Sequence, residues 1–256
     1  MRRRCLGLAL LGWVSSAAAQ TYRPSAFACA VFQESVKTSI RGLSGGAVVA
    51  DRGGRVGLLV LNGRDSSGVV VLEAWYDSLE VWRETGAGRE APETDGVVGG
   101  RFRGVLQPAG AYRPAKVPFI PEDLAEVADL AAVMDDFLPR LPPAPLAPGQ
   151  QWSDTTGYTI RRLPDAAKAQ HYRWTVTRRR GDQYAATDSL AVTLDQLIKE
   201  SGELAWSAER GPVSWTRQIN ISARIPATGG VKRSVRSTID QAVTVTRRSD
   251  LTSHCG

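Results

Sequence analysis

Gly42-Leu43-Ser44-Gly45-Gly46 has the written form G-x-S-x-G, in which a serine on a strained strand-to-helix turn serves as a nucleophile. Its surroundings do not supply that turn. Ala47-Val48-Val49-Ala50 continues as a strand, so a glycine-rich hairpin is expected there instead. Two histidines occur, His171 and His254, and neither accompanies cysteines or carboxylates at metal-ligand spacing, so no metal or other cofactor is implied. Nor does either show a partner for general acid-base work, and no catalytic residue is assigned. Arg180-Gly181-Asp182 spells an adhesion tripeptide, but Gly-Asp is also the ordinary chemistry of a tight turn. Glu122, Asp123 and Glu126 crowd what reads as the first turns of a helix, where the positive end of the macrodipole favours acids without any catalytic pairing.

The cysteines take their meaning from the N-terminus. Arg2-Arg3-Arg4, an apolar stretch from Cys5 to Val14 and the small residues Ser15 to Ala19 are, in order, the three parts of a cleavable signal peptide over residues 1–19. Cleavage near Ala19/Gln20 and a periplasmic or extracellular destination are expected. The apolar stretch is shorter than the roughly 20 residues a spanning helix needs, and no later segment reaches that length without charges, so no transmembrane segment is expected. Cleavage would leave Cys29 and Cys255, and an oxidising compartment favours a disulfide between them. Closing so long a loop contributes on the order of 4 to 5 kcal/mol in the loop-entropy model.

Losing residues 1–19 removes three arginines and no acids, leaving 29 basic against 26 acidic residues. So mild a balance gives no reason to expect nucleic acid as a partner. The marked preference for arginine over lysine, with abundant Ala, Gly and Val, points to a bacterial source.

The elements that would position these groups are overwhelmingly strands. In 213–225, Val213, Trp215, Ile219, Ile221, Ala223 and Ile225 alternate with polar residues, the period of a half-buried strand. After Thr228-Gly229-Gly230 the alternation resumes with Val231, Val235, Ile239, Val243 and Val245, which predicts a long antiparallel hairpin. Gly53-Gly54 and Gly181-Asp182 read as the turns of two more hairpins, 46–51 with 55–61 and 170–178 with 183–194. Further strands are expected at 29–41, 68–75, 78–84, 101–107, 151–162 and 202–208.

One segment breaks this rhythm. Leu124, Val127, Ala128, Ala131, Met134 and Leu138 recur at helical spacing and predict an amphipathic helix over 121–138. The proline-rich run 139–148 behind it cannot form ladder bonds and reads as a stiff connector. The mature chain, 20–256, is then a single β-rich domain in two halves, 20–120 and 149–256, joined by that helix and connector. Strands this long must twist and curl, so the fold class expected is mainly β: a large curled antiparallel sheet, a half-barrel or open barrel, with one central helix over its concave side. The apolar face of that arrangement would comprise Leu124, Val127, Met134, Trp215, Ile219, Ile221, Val235, Ile239 and Val243.

A curled sheet, a covering helix and a proline-rich joint before Gly149-Gln150-Gln151-Trp152 resemble the periplasmic lipoprotein-carrier (LolA-like) half-barrel superfamily over about residues 29–247. The chain is also similar to uncharacterised bacterial exported proteins with a proline-rich segment, Gly-x-x-Trp and a later strand like Gly202-Glu203-Leu204-Ala205-Trp206. The resemblance implies an apolar ligand on the concave face: a lipid, a lipoprotein's acyl chain or another hydrophobic molecule. Two other readings stand beside it, a structural or interaction protein of the envelope without a ligand and a hydrolase with an unidentified site. The sequence is silent on oligomeric state.

Overall fold

The computed structural model describes residues 20–44, 47–187, 190–225 and 235–251. They form one twelve-stranded sheet in which every neighbouring pair is antiparallel. The N-terminal strands are β1 (Ala30–Ser44), β2 (Ala47–Ser66), β3 (Val69–Thr85), β4 (Gly88–Glu90), β5 (Phe102–Leu106) and β6 (Tyr112–Lys116). Then follow β7 (Gln151–Ser153), β8 (Tyr158–Arg162), β9 (Gln170–Thr187), β10 (Leu190–Ser207), β11 (Gly211–Ile225) and β12 (Val235–Arg247). The order β6-β5-β3-β2-β1-β12-β11-β10-β9-β8-β7 makes β1 and β12 the central seam and leaves β6 and β7 as edges; β4 pairs with β3 off this path.

The expected terminal hairpin is present as β11 and β12, with Ile221 opposite Ile239 and Trp215 opposite Val245. Two other expected hairpins are not. Gly53-Gly54 lies inside β2 and Gly181-Asp182 inside β9, each in the middle of a continuous strand. Gly54 is needed there for close approach: a Cβ would stand 2.5 Å from the Val36 carbonyl and 3.1 Å from the Trp82 ring. The strands expected at 68–75 and 78–84 are likewise one strand, β3. Its bulge puts Tyr76 opposite Leu59 and Ser78 opposite Leu58, with Asp77 as the extra residue. The stretch 151–162, by contrast, is split into β7 and β8 by a turn in which Asp154 accepts bonds from the backbone N–H of Thr156 and Tyr158.

The sheet is strongly curled, as two contacts establish. Laid flat at about 4.8 Å per strand, β5 and β10 would stand roughly 29 Å apart. Yet Tyr22 donates its N–H to Pro108, just past β5, at 3.0 Å, and packs its ring edge-on against Trp206 of β10 at 5.3 Å. Residues 140–141 do the same: the Leu141 N–H bonds to Ala109 and the Tyr158 hydroxyl of β8 to the Arg140 carbonyl. The N-terminal segment 20–28, with its 3-10 turn Pro24–Phe27, therefore plugs one end of an open half-barrel.

Nearly all the core lies on the concave side, where Phe32, Leu59, Leu61, Tyr76, Phe102, Ile160, Tyr172, Leu204 and Val245 are sealed from solvent. Residues 117–150 cross it from edge β6 to edge β7 as a strap. The helix expected over 121–138 is shortened to α1 (Glu122–Val127); Ala128 is extended (φ −147°, ψ 135°) and the rest of the strap runs in turns. A longer helix would place Asp135 and Asp136 at its negative end, and the Asp129 carboxylate accepts the Ala132 N–H, a local bond that competes with the helical one. The apolar pattern serves burial even so: Leu124, Leu130, Val133, Met134, Phe137 and Leu138 all face inward.

The convex side carries a small cluster of Val31, Val60 and Trp75, covered by Leu58 and Leu251. Arg101 stacks on the Trp75 ring at 3.6 Å.

Candidate functional site

Alternation on a strand sends every second side chain inward, and at several inward positions this chain places a charge. Glu34 lies between Phe32 and Val36 on β1 and is 1% exposed. It accepts two bonds from the Arg55 guanidinium of β2, at 2.8 and 2.9 Å, and one from the Tyr76 hydroxyl of β3 at 2.8 Å. Three of the roughly four acceptor positions of the carboxylate are thus taken by donors from β2 and β3. Burial pushes the Tyr76 phenol well above its ordinary range, and the Glu34 charge adds to that. Burial works against the Arg55 cation, but the Glu34 hydrogen bonds and charge outweigh it and hold its pKa above the ordinary value.

A second knot joins sheet to strap. Arg217 of β11 is clasped by Glu200 of β10 at 2.7 and 3.0 Å and reaches the strap at Asp136, bonding its carboxylate at 3.3 Å and its carbonyl at 3.2 Å. Trp174 of β9 completes the shell, its indole N–H 3.4 Å from Glu200.

The strap needs such partners. Pro139, Pro142, Pro143, Pro145 and Pro148 cannot donate to a ladder, so the carbonyls among them lack a regular partner strand. The N-terminal segment and β8 supply the bonds: Tyr22 to the Pro139 carbonyl at 2.6 Å, Tyr158 to Arg140 at 2.6 Å and Arg162 to Leu146 at 2.8 Å. Burial accordingly holds the Tyr22 and Tyr158 phenols above their ordinary range.

Tied down along this line, the strap leaves a space between itself and the central strands. The cavity measures about 470 Å³ and opens to solvent. Its apolar lining is Val36, Ile40, Val127, Val133, Phe137, Trp215, Ile219 and Val243; its polar rim includes Asp51, Arg52, Arg83, Asp129, Asp136 and Arg217. Asp51 and Arg83 are paired at 2.9 Å. Beyond the strap the concave face continues as a row of isoleucines on four neighbouring strands: Ile40 opposite Ile239, Ile239 opposite Ile221 and Ile221 opposite Ile198. Three of the four are half-buried, Ile198 more deeply.

The residues expected to form the apolar face divide accordingly. Val127, Trp215, Ile219 and Val243 line the cavity. Leu124 and Met134 are buried in the packing between strap and sheet, and Ile221 and Ile239 belong to the open row. Val235 stands opposite Ile225 at the start of β12; its side chain is outside the described residues, as are Cys255 and His254. The expected Cys29–Cys255 disulfide therefore has one partner beyond description. His171 is half-buried, its Nε2 3.2 Å from the Ala166 carbonyl. Ser44 ends β1 opposite Ala47 of β2, a strand-to-strand junction. Among the described residues no group of three His, Cys, Asp or Glu side chains could hold a metal, and no helix is long and apolar enough to cross a membrane.

Sequence reasoning passed over Glu34, Arg55, Tyr76 and Arg217. The available signal is a charge in the apolar phase of an alternating strand: Arg217 fills the gap between Trp215 and Ile219, and Glu34 the gap between Phe32 and Val36.

No family model matches the chain, and no curated protein does. Among solved structures, one of lipovitellin concerned with lipid–protein interactions superposes with a TM-score of 0.50 at 12% identity, over 86% of this chain and 25% of that one. The chain thus spans about a quarter of that neighbour's length and is similar to it in fold. A DUF1329 family protein from Desulfovibrio piger ATCC 29098 superposes with a TM-score of 0.16 at 10% identity, over 92% of this chain and 88% of that one. A domain described as outer-membrane lipoprotein-sorting from Vibrio parahaemolyticus gives a TM-score of 0.15 at 7% identity, over 85% and 86%. None of the three carries an enzyme's name.

Proposed function

We propose that this chain is an exported envelope protein that holds an apolar ligand, a lipid or the acyl chain of a lipoprotein, between its strap and the concave face of its sheet. The observation that carries the reading is the cavity of about 470 Å³ at the central seam, within the size range of small-molecule sites. Its walls mix aliphatic and aromatic side chains with the polar groups Glu34, Thr38, Arg55 and Gln241, its rim is charged, and its Ile40 begins the row Ile40, Ile239, Ile221 and Ile198. That arrangement suits an amphiphile with its chain inward and its polar group at the rim. The fold similarity to lipovitellin and the pattern resemblance to lipoprotein carriers agree with this reading. Export after cleavage near Ala19 and a Cys29–Cys255 disulfide complete the proposal.

Titration with the apolar fluorophore N-phenyl-1-naphthylamine tests it. The mature protein should bind the probe saturably. Thr38→Trp, which puts a large ring into the cavity from β1, should abolish that binding with little change in melting temperature. Absence of saturable binding by the parent, together with a stability loss of about 1 to 3 kcal/mol in the variant, would favour a packed structural protein without a ligand.

A further inference from the structure

The half-barrel has two unlike ends. One is plugged by residues 20–28 and crossed by the strap; at the other, where β1 meets β2 near Ser44 and β11 meets β12 near Ile225, no segment among the described residues crosses the concave face. At this open end the two faces of the same strands differ sharply. The concave face presents Ile40, Ile239, Ile221 and Ile198. The convex face presents Arg41 on β1, Arg236 on β12 and Arg224 on β11, all exposed. Arg224 and Arg236 are directly opposite each other in the ladder, and Arg41, opposite Thr238, stands diagonally next to Arg236.

Like charges placed directly across a ladder repel and weaken the sheet. Asp195 is the acid next in register, beside Arg224 on β10, yet none of the three arginines makes an ion pair within the described residues. Several other arginines on this sheet are paired, Arg55 with Glu34, Arg83 with Asp51, Arg173 with Glu203 and Arg217 with Glu200, while Arg52, Arg64 and Arg161 are, like these three, outside any ion pair among the described residues. Arg178, also exposed, extends the isoleucine row from the β9 side, opposite Ile198.

We infer that this open end docks on an anionic bilayer surface, the cluster of Arg41, Arg224 and Arg236 meeting lipid phosphates while the isoleucine row faces the acyl region. A bilayer supplies both chemistries within a few ångströms of each other: negative charge at the surface and hydrocarbon just below. An acidic protein or a nucleic acid would match the arginines but offers no hydrocarbon to the isoleucine row at the same end. The inference goes beyond the cavity reading and does not need it, because docking is measured on vesicles and the cavity with a soluble probe.

The test is co-sedimentation of the mature protein with vesicles of phosphatidylcholine alone or of phosphatidylcholine with phosphatidylglycerol. Binding should require phosphatidylglycerol and weaken with added salt. Arg224→Glu with Arg236→Glu should weaken it about tenfold or more. The same charge change at the opposite end, Arg103→Glu with Lys116→Glu, should have much less effect. N-phenyl-1-naphthylamine binding without vesicles should be the same for all forms, which separates failure of docking from failure of the cavity. If charge reversal unfolds the protein, the Arg224→Gln, Arg236→Gln pair gives the same reading with a smaller effect. Equal binding to both vesicle types, no binding to either, or equal loss in the two charge-reversed pairs would overturn the proposal.

Discussion

Tyr22 donates its hydroxyl to the Pro139 carbonyl at 2.6 Å across 117 residues of chain, so the N-terminal plug and the strap are one hydrogen-bonded unit. Tyr22→Phe keeps the ring packing against Phe27 and Trp206 and leaves that carbonyl without its donor. The expected cost is about 1 to 3 kcal/mol in urea denaturation. A change within experimental error would mean that the strap is held by packing alone.

Arg217 gives a sharper contrast, because its two partners differ in exposure. The Glu200 side chain is 11% exposed and the Asp136 side chain 64%. Arg217→Leu strands the Glu200 carboxylate in the interior and should cost about 3 kcal/mol. Asp136→Asn should cost less than about 1 kcal/mol, the ordinary value of an exposed pair. Equal losses would show that the strap contact, not the buried clasp, dominates.

The buried phenols set the alkaline limit of stability. Tyr22 and Tyr76 are held well above the ordinary phenol value, by burial first and by the nearby Tyr158 and Glu34 second; burial, as the main cause, pushes Tyr112 and Tyr172 up to about 12. In the unfolded chain these groups ionise near 10. Between pH 10 and 12 the unfolded state therefore holds fewer protons than the folded one. Stability is at its full value below pH 10 and falls as pH rises, by at most about 1.4 kcal/mol per pH unit for each buried phenol still protonated and by less for the partly exposed Tyr112. Denaturation midpoints across that range should fall less steeply for Tyr76→Phe; an unchanged slope would contradict the assignment.

Glycine 202 marks another close approach. A Cβ there would collide with the buried Trp174 ring and with the Thr216 carbonyl, a backbone group held in the ladder. Gly202→Ala should cost about 3 kcal/mol by overpacking, whereas Gly181→Ala on β9, with only the Asp195 carboxylate 3.8 Å away, should be nearly neutral. Thermal melts of the two variants decide it.

These glycines also explain where the sequence misleads. A glycine that makes room for a cross-strand tryptophan and a glycine that makes a turn look alike in one dimension, so Gly53-Gly54 reads as a hairpin when Trp82 has not yet been placed beside it. The β11–β12 hairpin is legible because its isoleucines and valines alternate without such intrusions. Leu124, Met134 and Leu138 are legible as inward-facing, since burial sets their spacing, but whether the backbone between them is helix or turn depends on Ala128 and on the Asp129 side-chain bond. The cavity depends on contacts between residues far apart in the chain, such as Asp136 with Arg217, 81 positions away, which no local pattern encodes.

Export and the disulfide are open to one mass measurement. Protein secreted from an exporting host should begin at or within a residue or two of Gln20 and, before reduction, weigh two hydrogens less than its sequence. Retention of residues 1–19, or a fully reduced mass, would refute the respective proposal.

The central claim is that the space under the strap holds an apolar ligand, and native mass spectrometry of the mature protein from its exporting host tests it most directly. The account predicts a population heavier than the chain by the mass of one lipid, lost in Thr38→Trp and diminished in Ile221→Trp, with both variants still folded. A parent that carries no adduct, even after incubation with envelope lipid extract, would contradict it.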